Sequence, residues 1–233
     1  MNPRFEPAIA SVASLMADAS RAQMLMHLLG GRRASATELA AVAGVSAATA
    51  SGHLSRLLEG QLVQVEQRGR HRYYALADES VARLLESLAS VSERDTSNPA
   101  WRHPGRARLK FARRCYGHLA GELGVGLFGG LMAAGAFSAH ADGLALTPAG
   151  EAALSDLGFS ARPAPGRRRF ASSCHDWSEG RDHLGGSLGE QLLEHLLLLD
   201  WLRPGKDRAL TLTAQGEQAL LPFIRTLGAR AGA

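Results

Sequence analysis

Residues 37–76 limit the fold of this chain more than any other stretch. They read TELAAVAGVSAATASGHLSRLLEGQLVQVEQRGRHRYYAL. Leu39, Ala40 and Ala43 give a short helix one apolar face, and Gly44 follows where the chain must turn tightly. Ser46 is a good N-cap, because its hydroxyl accepts from a first-turn amide that has no intrahelical partner. Beyond it Ala50, Leu54, Leu57 and Leu58 recur at helical spacing and predict one buried face, which Gly60 ends. Leu62, Val63 and Val65 then lead through Gly69 into Tyr73, Tyr74 and Leu76, the pattern of a two-stranded hairpin. Two helices across a tight turn, followed by a hairpin with a basic tip, make a helix-turn-helix with a wing. That device docks on duplex DNA.

The expected DNA-facing residues are Ser46, Ala47, Ala48, Thr49, Ser51, Gly52, His53, Ser55 and Arg56 of the second helix, with Arg68, Arg70, His71 and Arg72 of the wing. The helical surface is small and polar, as a face pressed into a major groove should be. Alanine and glycine make no bidentate base contacts, each worth ~1–3 kcal/mol of discrimination. Direct readout therefore falls to Thr49, Ser51 and Ser55, with groove shape read by the wing arginines.

Flanking this core, residues 8–16 form an amphipathic helix with Ile9, Val12, Leu15 and Met16 on one side. Asp18 and Ser20 open another at Arg21, and Val81, Leu84, Leu85, Leu88 and Val91 mark a third. The motifs ADASRAQML, ELAAVAGVSAATASGHLSRLLEGQLV and GRHRYYAL resemble the start, recognition helix and wing of ArsR-type regulators, over about residues 5–92. The resemblance implies a homodimer whose first and last helices pack across a two-fold axis and whose two recognition helices read an inverted repeat. Many relatives carry a cysteine-bearing metal box where this chain has Thr37-Glu38-Leu39-Ala40-Ala41, so that sensor is missing here. Larger polar residues also commonly stand at the places of Ala47 and Gly52.

A basic linker, 93–108, follows the first domain, 1–92. Asp95, Ser97, Asn98 and two prolines make it turn-rich. The cations Arg94, Arg102, Arg106, Arg108, Lys110, Arg113 and Arg114 run through it into the next element. They suit phosphates flanking an operator. They equally suit the solvated face of a helix starting near Gly105, with Leu109 and Phe111 buried.

Residues 109–233 repeat themselves, in copies of about 109–158 and 174–229. His118-Leu-Ala-Gly-Glu-Leu-Gly aligns with His183-Leu-Gly-Gly-Ser-Leu-Gly, and LALTPAGEAAL with LTLTAQGEQAL, the later stretch one residue further apart. Each copy reads as helix, glycine break, helix, two short strands and helix, with Thr147 and Thr213 capping the final helices. The fold class is thus mainly α with small β-hairpins (α+β), a winged helix-turn-helix followed by a duplicated winged-helix-like domain. Neither copy has a basic wing tip, which suggests sensing or dimerisation rather than DNA contact. This part also resembles the C-terminal extension of a subset of ArsR-type regulators, through "CYxHLAG" and "CxDWSE" elements, which implies an effector domain.

Candidate chemistry gathers where the copies begin. Cys115 and His118 stand at i and i+3, expected on one helical face, and Cys174, His175 and His183 mark the second copy. Three readings fit these residues. The cysteines are buried small apolar residues and the histidines cap helices. Or thiolates and imidazoles hold a soft metal ion, although Cys-x8-His is not a usual zinc spacing. Or Cys115, beside Arg113 and Arg114, is a thiol switch for an oxidant or persulfide. A fourth uses Tyr116 and Trp177 to hold an organic effector. The cofactor is thus unknown, a soft metal ion or none.

Composition narrows the setting. Of 233 residues 45% are hydrophobic, enough for two small cores, and the net charge of +4 permits a polyanionic partner. Two cysteines are too few for a disulfide framework. No leader and no apolar run of about 20 residues appears, so a cytoplasmic protein without membrane contact is expected. Cys174-His175-Asp176 holds a nucleophile, a base and a carboxylate, but consecutive residues rarely converge as a triad, and an enzyme is not expected. A regulator binding double-stranded DNA, itself and a small effector is the expectation, most simply a repressor. A pure interaction module is the alternative.

Overall fold

A computed structural model describes residues 9–94, 105–163 and 169–230. The expected leader-free start before Ile9 and the linker positions 95–104, with Asp95 and Arg102, lie outside the described residues. The chain divides into two compact units, Met1–Leu85 and Glu86–Ala233.

The first unit runs α1 (Ile9–Met16), α2 (Ala19–Leu28), β1 (Ala34–Ser35), α3 (Ala36–Ala43), α4 (Ala47–Glu59), β2 (Val63–Arg68) and β3 (His71–Leu76). The boundary falls inside α5 (Glu79–Ser92). Side-chain capping sets the helix starts. Asp18 accepts from the Arg21 amide to open α2. Ser35 and Glu38 exchange bonds in a capping box on α3, and Ser46 accepts from the Thr49 amide at 3.2 Å on α4. Ala50, Leu54 and Leu57 of α4 are buried, as are Met24, Leu25 and Leu28 of α2 and Leu39 of α3. Truncating one such leucine to alanine costs about 2–5 kcal/mol.

Two local features differ from the sequence reading. The wing is three-stranded, because Ala34 and Ser35 pair with Tyr74 and Tyr73 to give the order β1-β3-β2. Two residues carry no alternation to read. Gly60 does end α4, but the left-handed turn is made by Gln61 at φ 56°. A Cβ at Gly60 would stand 2.1 Å from Leu15 Cδ1 and 3.3 Å from the Arg56 carbonyl oxygen, so a larger residue there needs the Leu15 side chain to shift.

After α6 (Gly105–Phe111), the second unit repeats one motif twice. The first copy is β4 (Arg113–Cys115), β5 (His118–Ala120), α7 (Glu122–Ala133), β6 (Phe137–His140), β7 (Gly143–Leu146) and α8 (Pro148–Ser155). The second is β8 (Ser172–His175), β9 (Asp182–Gly185), α9 (Gly186–Leu198), β10 (Leu202–Pro204), β11 (Leu210–Leu212) and α10 (Ala214–Arg230). Each copy therefore opens with a hairpin, not the expected helix. Tyr116 at φ 50° and Gly117 at φ 105° form a two-residue turn of the kind that suits the twist of a hairpin and breaks a helix.

The copies exchange partners crosswise. β5 packs on α9, β9 packs on α7, and β5 lies beside β9. Leu119 and Leu184, Gly124 and Gly189, and Leu127 and Leu192 are equivalent pairs that line one crevice on this local dyad. A Cβ at Gly124 or Gly189 would stand 2.3 or 2.4 Å from the carbonyl oxygen of Leu119 or Leu184, so glycine lets each helix press onto its own hairpin. Thr147 and Thr213 cap α8 and α10 alike, each accepting from the amide three residues on and donating to a carbonyl of the preceding turn. Among the described residues no helix is long and apolar enough to cross a membrane.

Candidate functional sites

The buried face of α4 fixes what its other face presents. Ala47, Ala48, Thr49, Ser51, Gly52, Ser55 and Arg56 are all exposed. The Ser46 hydroxyl is engaged in capping, and it lies 2.9 Å from the Thr49 hydroxyl, so both are held by each other. His53 departs from the expectation. Its side chain turns inward, with Nδ1 3.4 Å from Arg21 Nη1 and 3.8 Å from Asp18 Oδ1. Arg21 is itself buried and donates to the carbonyls of Leu15 and Ser14. His53 thus ties α4 to the helices behind it instead of facing outward.

The wing residues Arg68, Arg70, His71 and Arg72 are exposed, but they are not equivalent. Arg68 donates to Glu66 Oε1 at 2.9 Å, and Arg33 also pairs with Glu66. The Arg68 bond holds the Glu66 carboxyl below its ordinary value. Arg70 Nε lies 3.3 Å from His71 Nε2, and the Arg72 guanidinium lies 5.8 Å from the Tyr74 ring centre. Neither Arg70 nor Arg72 has a carboxylate partner among the described residues.

The basic run divides in the same way. Arg106 and Lys110 pair with Glu93, and Arg113 is completely buried. Arg94 and Arg108 remain exposed. Leu109 and Phe111 of α6 are half-buried.

In the second unit four side chains meet on the local dyad. Cys115 faces His118 across β4–β5, and Cys174 faces His183 across β8–β9, each a directly opposed cross-strand pair. Cys115 and His118 thus share a hairpin face, not the helical face expected from their spacing. The ligand atoms of all four lie within 4.8 Å of one another, and all four residues are buried. Both cysteines are free thiols. The Cys174 sulfur, burial and the Glu86 charge push the Cys115 thiol well above its ordinary value.

Asp176 stands behind this group, fully buried. Its Oδ2 accepts from the Gly121 amide at 2.7 Å and lies 3.4 Å from His183 Nδ1, while its Oδ1 accepts from Arg113 at 2.8 Å. Burial alone raises this carboxyl, but His183 and Arg113 outweigh it and hold Asp176 far below the usual carboxylate range. Burial also works against the His183 imidazolium, yet Asp176 and Cys115 raise it to about 9. Arg113 continues to Glu86 at 3.3 Å, and Glu86 accepts from Arg208 at 3.0 Å.

The remaining candidates lie elsewhere. His175 is exposed on the outer side of β8 and faces Asp182 at 3.3 Å, so Cys174, His175 and Asp176 do not converge as a triad. Tyr116 sits on the hairpin turn, edge-on to His118 at 6.4 Å. Trp177 lies 4.4 Å from the Arg113 and 5.4 Å from the Arg106 guanidinium and borders a separate pocket of about 360 Å³ with Leu109 and Lys206. Tyr116 does not line that pocket. Sequence reasoning passed over Glu86 and Arg208 and weighed Asp176 only as the carboxylate of a triad. Glu86 offered one signal, a carboxylate inside the apolar stretch LLESL.

An exposed small-residue helix beside a basic hairpin defines a DNA-binding transcriptional regulator of the winged helix-turn-helix class, and relatives agree. The chain is 39% identical over 215 residues, 91% of its own length and 95% of the relative's, to the uncharacterized HTH-type transcriptional regulator YdfF from Bacillus subtilis (strain 168). It is 38% identical over 86 residues, 37% of this chain and 72% of the relative, to the HTH-type transcriptional regulator CmtR from Mycobacterium tuberculosis. Among solved structures it is similar to the homodimeric winged helix-turn-helix domain of Mb0332 from Mycobacterium bovis, described as a possible ArsR-family regulator. That likeness has 31% identity and a TM-score of 0.36 and covers 38% of this chain and 81% of that one. No family model matches. The chain belongs to the HTH-type transcriptional regulators.

Proposed function

We propose that this regulator is a homodimeric repressor of an inverted-repeat operator and that its second unit senses an effector at Cys115, His118, Cys174 and His183. The observation that carries the sensing reading is the convergence of these four buried side chains, one cysteine and one histidine from each copy, within 4.8 Å. Burying two thiols and two imidazoles together is unfavourable unless they bind something or one another. Their place on the dyad between the copies means that whatever binds there alters how the copies pack.

Dimerisation is supported by apolar side chains left exposed on α1 and α5. Ile9 and Val12 are exposed on α1, and Leu84, Leu88 and Val91 follow at helical spacing on α5. The Mb0332 domain is itself homodimeric. On DNA, α4 sits in the major groove and Arg70 and Arg72 reach flanking phosphates or the minor groove.

A second reading is favoured by the proximity of the two sulfurs. Oxidation would join Cys115 and Cys174 in a disulfide, releasing two protons and two electrons to a peroxide. Against it, both thiols are buried and the Cys115 thiol is held protonated, whereas redox-sensing cysteines are exposed thiolates.

The test is fluorescence anisotropy on the promoter fragment of the chain's own gene, with zinc, hydrogen peroxide or sodium polysulfide added. One of these should shift affinity about 5- to 150-fold, the usual range of allosteric coupling. That shift should vanish in the Cys115→Ser/Cys174→Ser variant. An equal response from variant and wild type defeats the sensing site, and binding with no salt dependence defeats the DNA reading.

A further inference from the structure

Building on the reading of this cluster as the effector site, we propose that Cys115, His118, Cys174 and His183 bind one zinc-class divalent cation in a closed four-coordinate shell. The hairpins explain how two unlike spacings make one site. Cross-strand neighbours stand ~4.5–5.5 Å apart at Cβ whatever the length of the loop joining them. The two-residue turn after Cys115 and the long loop after Cys174 therefore present the same Cys–His pair.

Size selects a single ion. Bonds of about 2.3 Å to sulfur and about 2.0–2.1 Å to nitrogen place tetrahedral ligand atoms roughly 3.3–3.8 Å apart. Four ligand atoms already within 4.8 Å of one another need only small side-chain adjustments to close on such a centre. A two-iron cluster in its Cys₂His₂ form puts thiolates and imidazoles on different irons, which asks for a wider set.

Charge selects a divalent ion. Around the cluster, Asp176 is matched by Arg113 and Glu86 by Arg208. Two thiolates with two neutral imidazoles then leave a charge of −2, which a divalent cation cancels. Loading displaces to solvent one proton from each thiol and any second proton carried by an imidazole ring, since ligating cysteines are thiolates and ligating histidines are neutral. A monovalent or trivalent ion leaves net charge in a buried site.

The surroundings of His183 supply an independent sign. Both of its ring nitrogens are buried and neither makes a well-formed hydrogen bond among the described residues. Nδ1 faces Asp176 at 3.4 Å, the carboxylate–histidine arrangement that orients a metal-bound imidazole, and Nε2 is left to ligate. Asp176 is fixed in turn by Gly121, Arg113 and Ser178. With every ligand buried, no coordination position opens to water, so the ion clamps the two copies and performs no catalysis.

The test uses the full chain, stripped with a chelator under reducing conditions and titrated with Co²⁺ as an optical probe. The expected result is one Co²⁺ per chain, with tetrahedral ligand-field bands and thiolate-to-cobalt charge transfer, displaced by one equivalent of Zn²⁺. Zinc should also slow alkylation of both cysteines at least tenfold. Cys174→Ser should halve the charge-transfer intensity, and His118→Gln should keep it while weakening Zn²⁺ binding at least tenfold. No cobalt bands together with unchanged alkylation rates overturns the proposal, as does iron with acid-labile sulfide in the purified protein. DNA affinity measured on the same samples separates the two readings. Metal uptake without a DNA response keeps the metal site and sinks the sensing role. A peroxide response without metal uptake keeps the sensing role and sinks the metal.

Discussion

Arg113 and Asp176 form an ion pair at 2.8 Å with both side chains wholly excluded from solvent. The pair joins the start of one copy to the loop of the other, and its place in the repeat is not symmetric. The residue equivalent to Arg113 in the second hairpin is Ser172, which pairs with Gly185 as Arg113 pairs with Ala120. Duplication thus supplied the symmetric Cys–His pairs, and the longer second loop added Asp176, a polar partner present on one side alone. Breaking a buried pair by removing one member leaves an uncompensated charge, which costs about 3–5 kcal/mol. Arg113→Met should lower stability by that amount in urea unfolding, whereas Arg203→Ala, which breaks an exposed pair with Asp200, should leave it almost unchanged. Equal effects from both would show the buried pair to be unimportant.

The wing arginines should separate in their DNA behaviour. Arg70 and Arg72 have no carboxylate partner among the described residues, whereas Arg68 is held by Glu66. Each phosphate contact contributes about 0.9 to the slope of log K against log salt. Arg70→Ala and Arg72→Ala should each flatten the slope by that amount and weaken binding to all sequences alike. Arg68→Ala should do less, and Glu66→Gln should strengthen binding by releasing Arg68. Unchanged affinity in the Arg70 and Arg72 variants would remove the wing from the interface.

Acid stability should report the capping box on α3. The Ser35 amide and hydroxyl hold the Glu38 carboxyl below its ordinary value. A carboxyl depressed in the folded state contributes stability above its unfolded value, ~4.3, and loses it as pH falls through the lower folded value. Ser35→Ala should cost about 0.5–2 kcal/mol near neutral pH and make the loss on acidification shallower. Parallel acid limbs for wild type and variant, measured by urea midpoint against pH, would rule the box out as a contributor.

The legible parts of the fold were those with local causes. Ser46 and its buried partners at helical spacing mark α4, and Gly69 between alternating residues marks the wing. Residue identity could not show that His53 turns inward, because the partner that draws it, Arg21, lies a whole motif earlier. The i, i+3 spacing of Cys115 and His118 fits a helix and a tight hairpin equally. The positive φ at Tyr116, a residue type with no preference for it, decides between them. Internal repetition did show that the two cysteines stand near equivalent places. Glu86 stayed hidden in an apolar run because its partners, Arg113 and Arg208, come from elements far along the chain.

Glu86 also sets the last prediction, which concerns how the second unit acts on the first. α5 is continuous through the unit boundary, with Val81, Ala82 and Leu85 buried on one side of it and Glu86 buried on the other. Within the second unit, contacts run from His183 through Asp176 and Arg113 to Glu86 on this helix, and the proposed sensing role would use them. A path of contacts becomes a coupling only if both ends bias the same two states, so the variant must be tested at both ends. Glu86→Gln keeps the shape and hydrogen-bonding capacity but removes the charge that Arg113 and Arg208 share. It should leave metal uptake within about threefold of wild type and reduce the metal-dependent change in operator affinity at least fivefold, a loss of about 1 kcal/mol of coupling. A variant that binds metal normally and still responds fully on DNA would show that the signal leaves the cluster by another route.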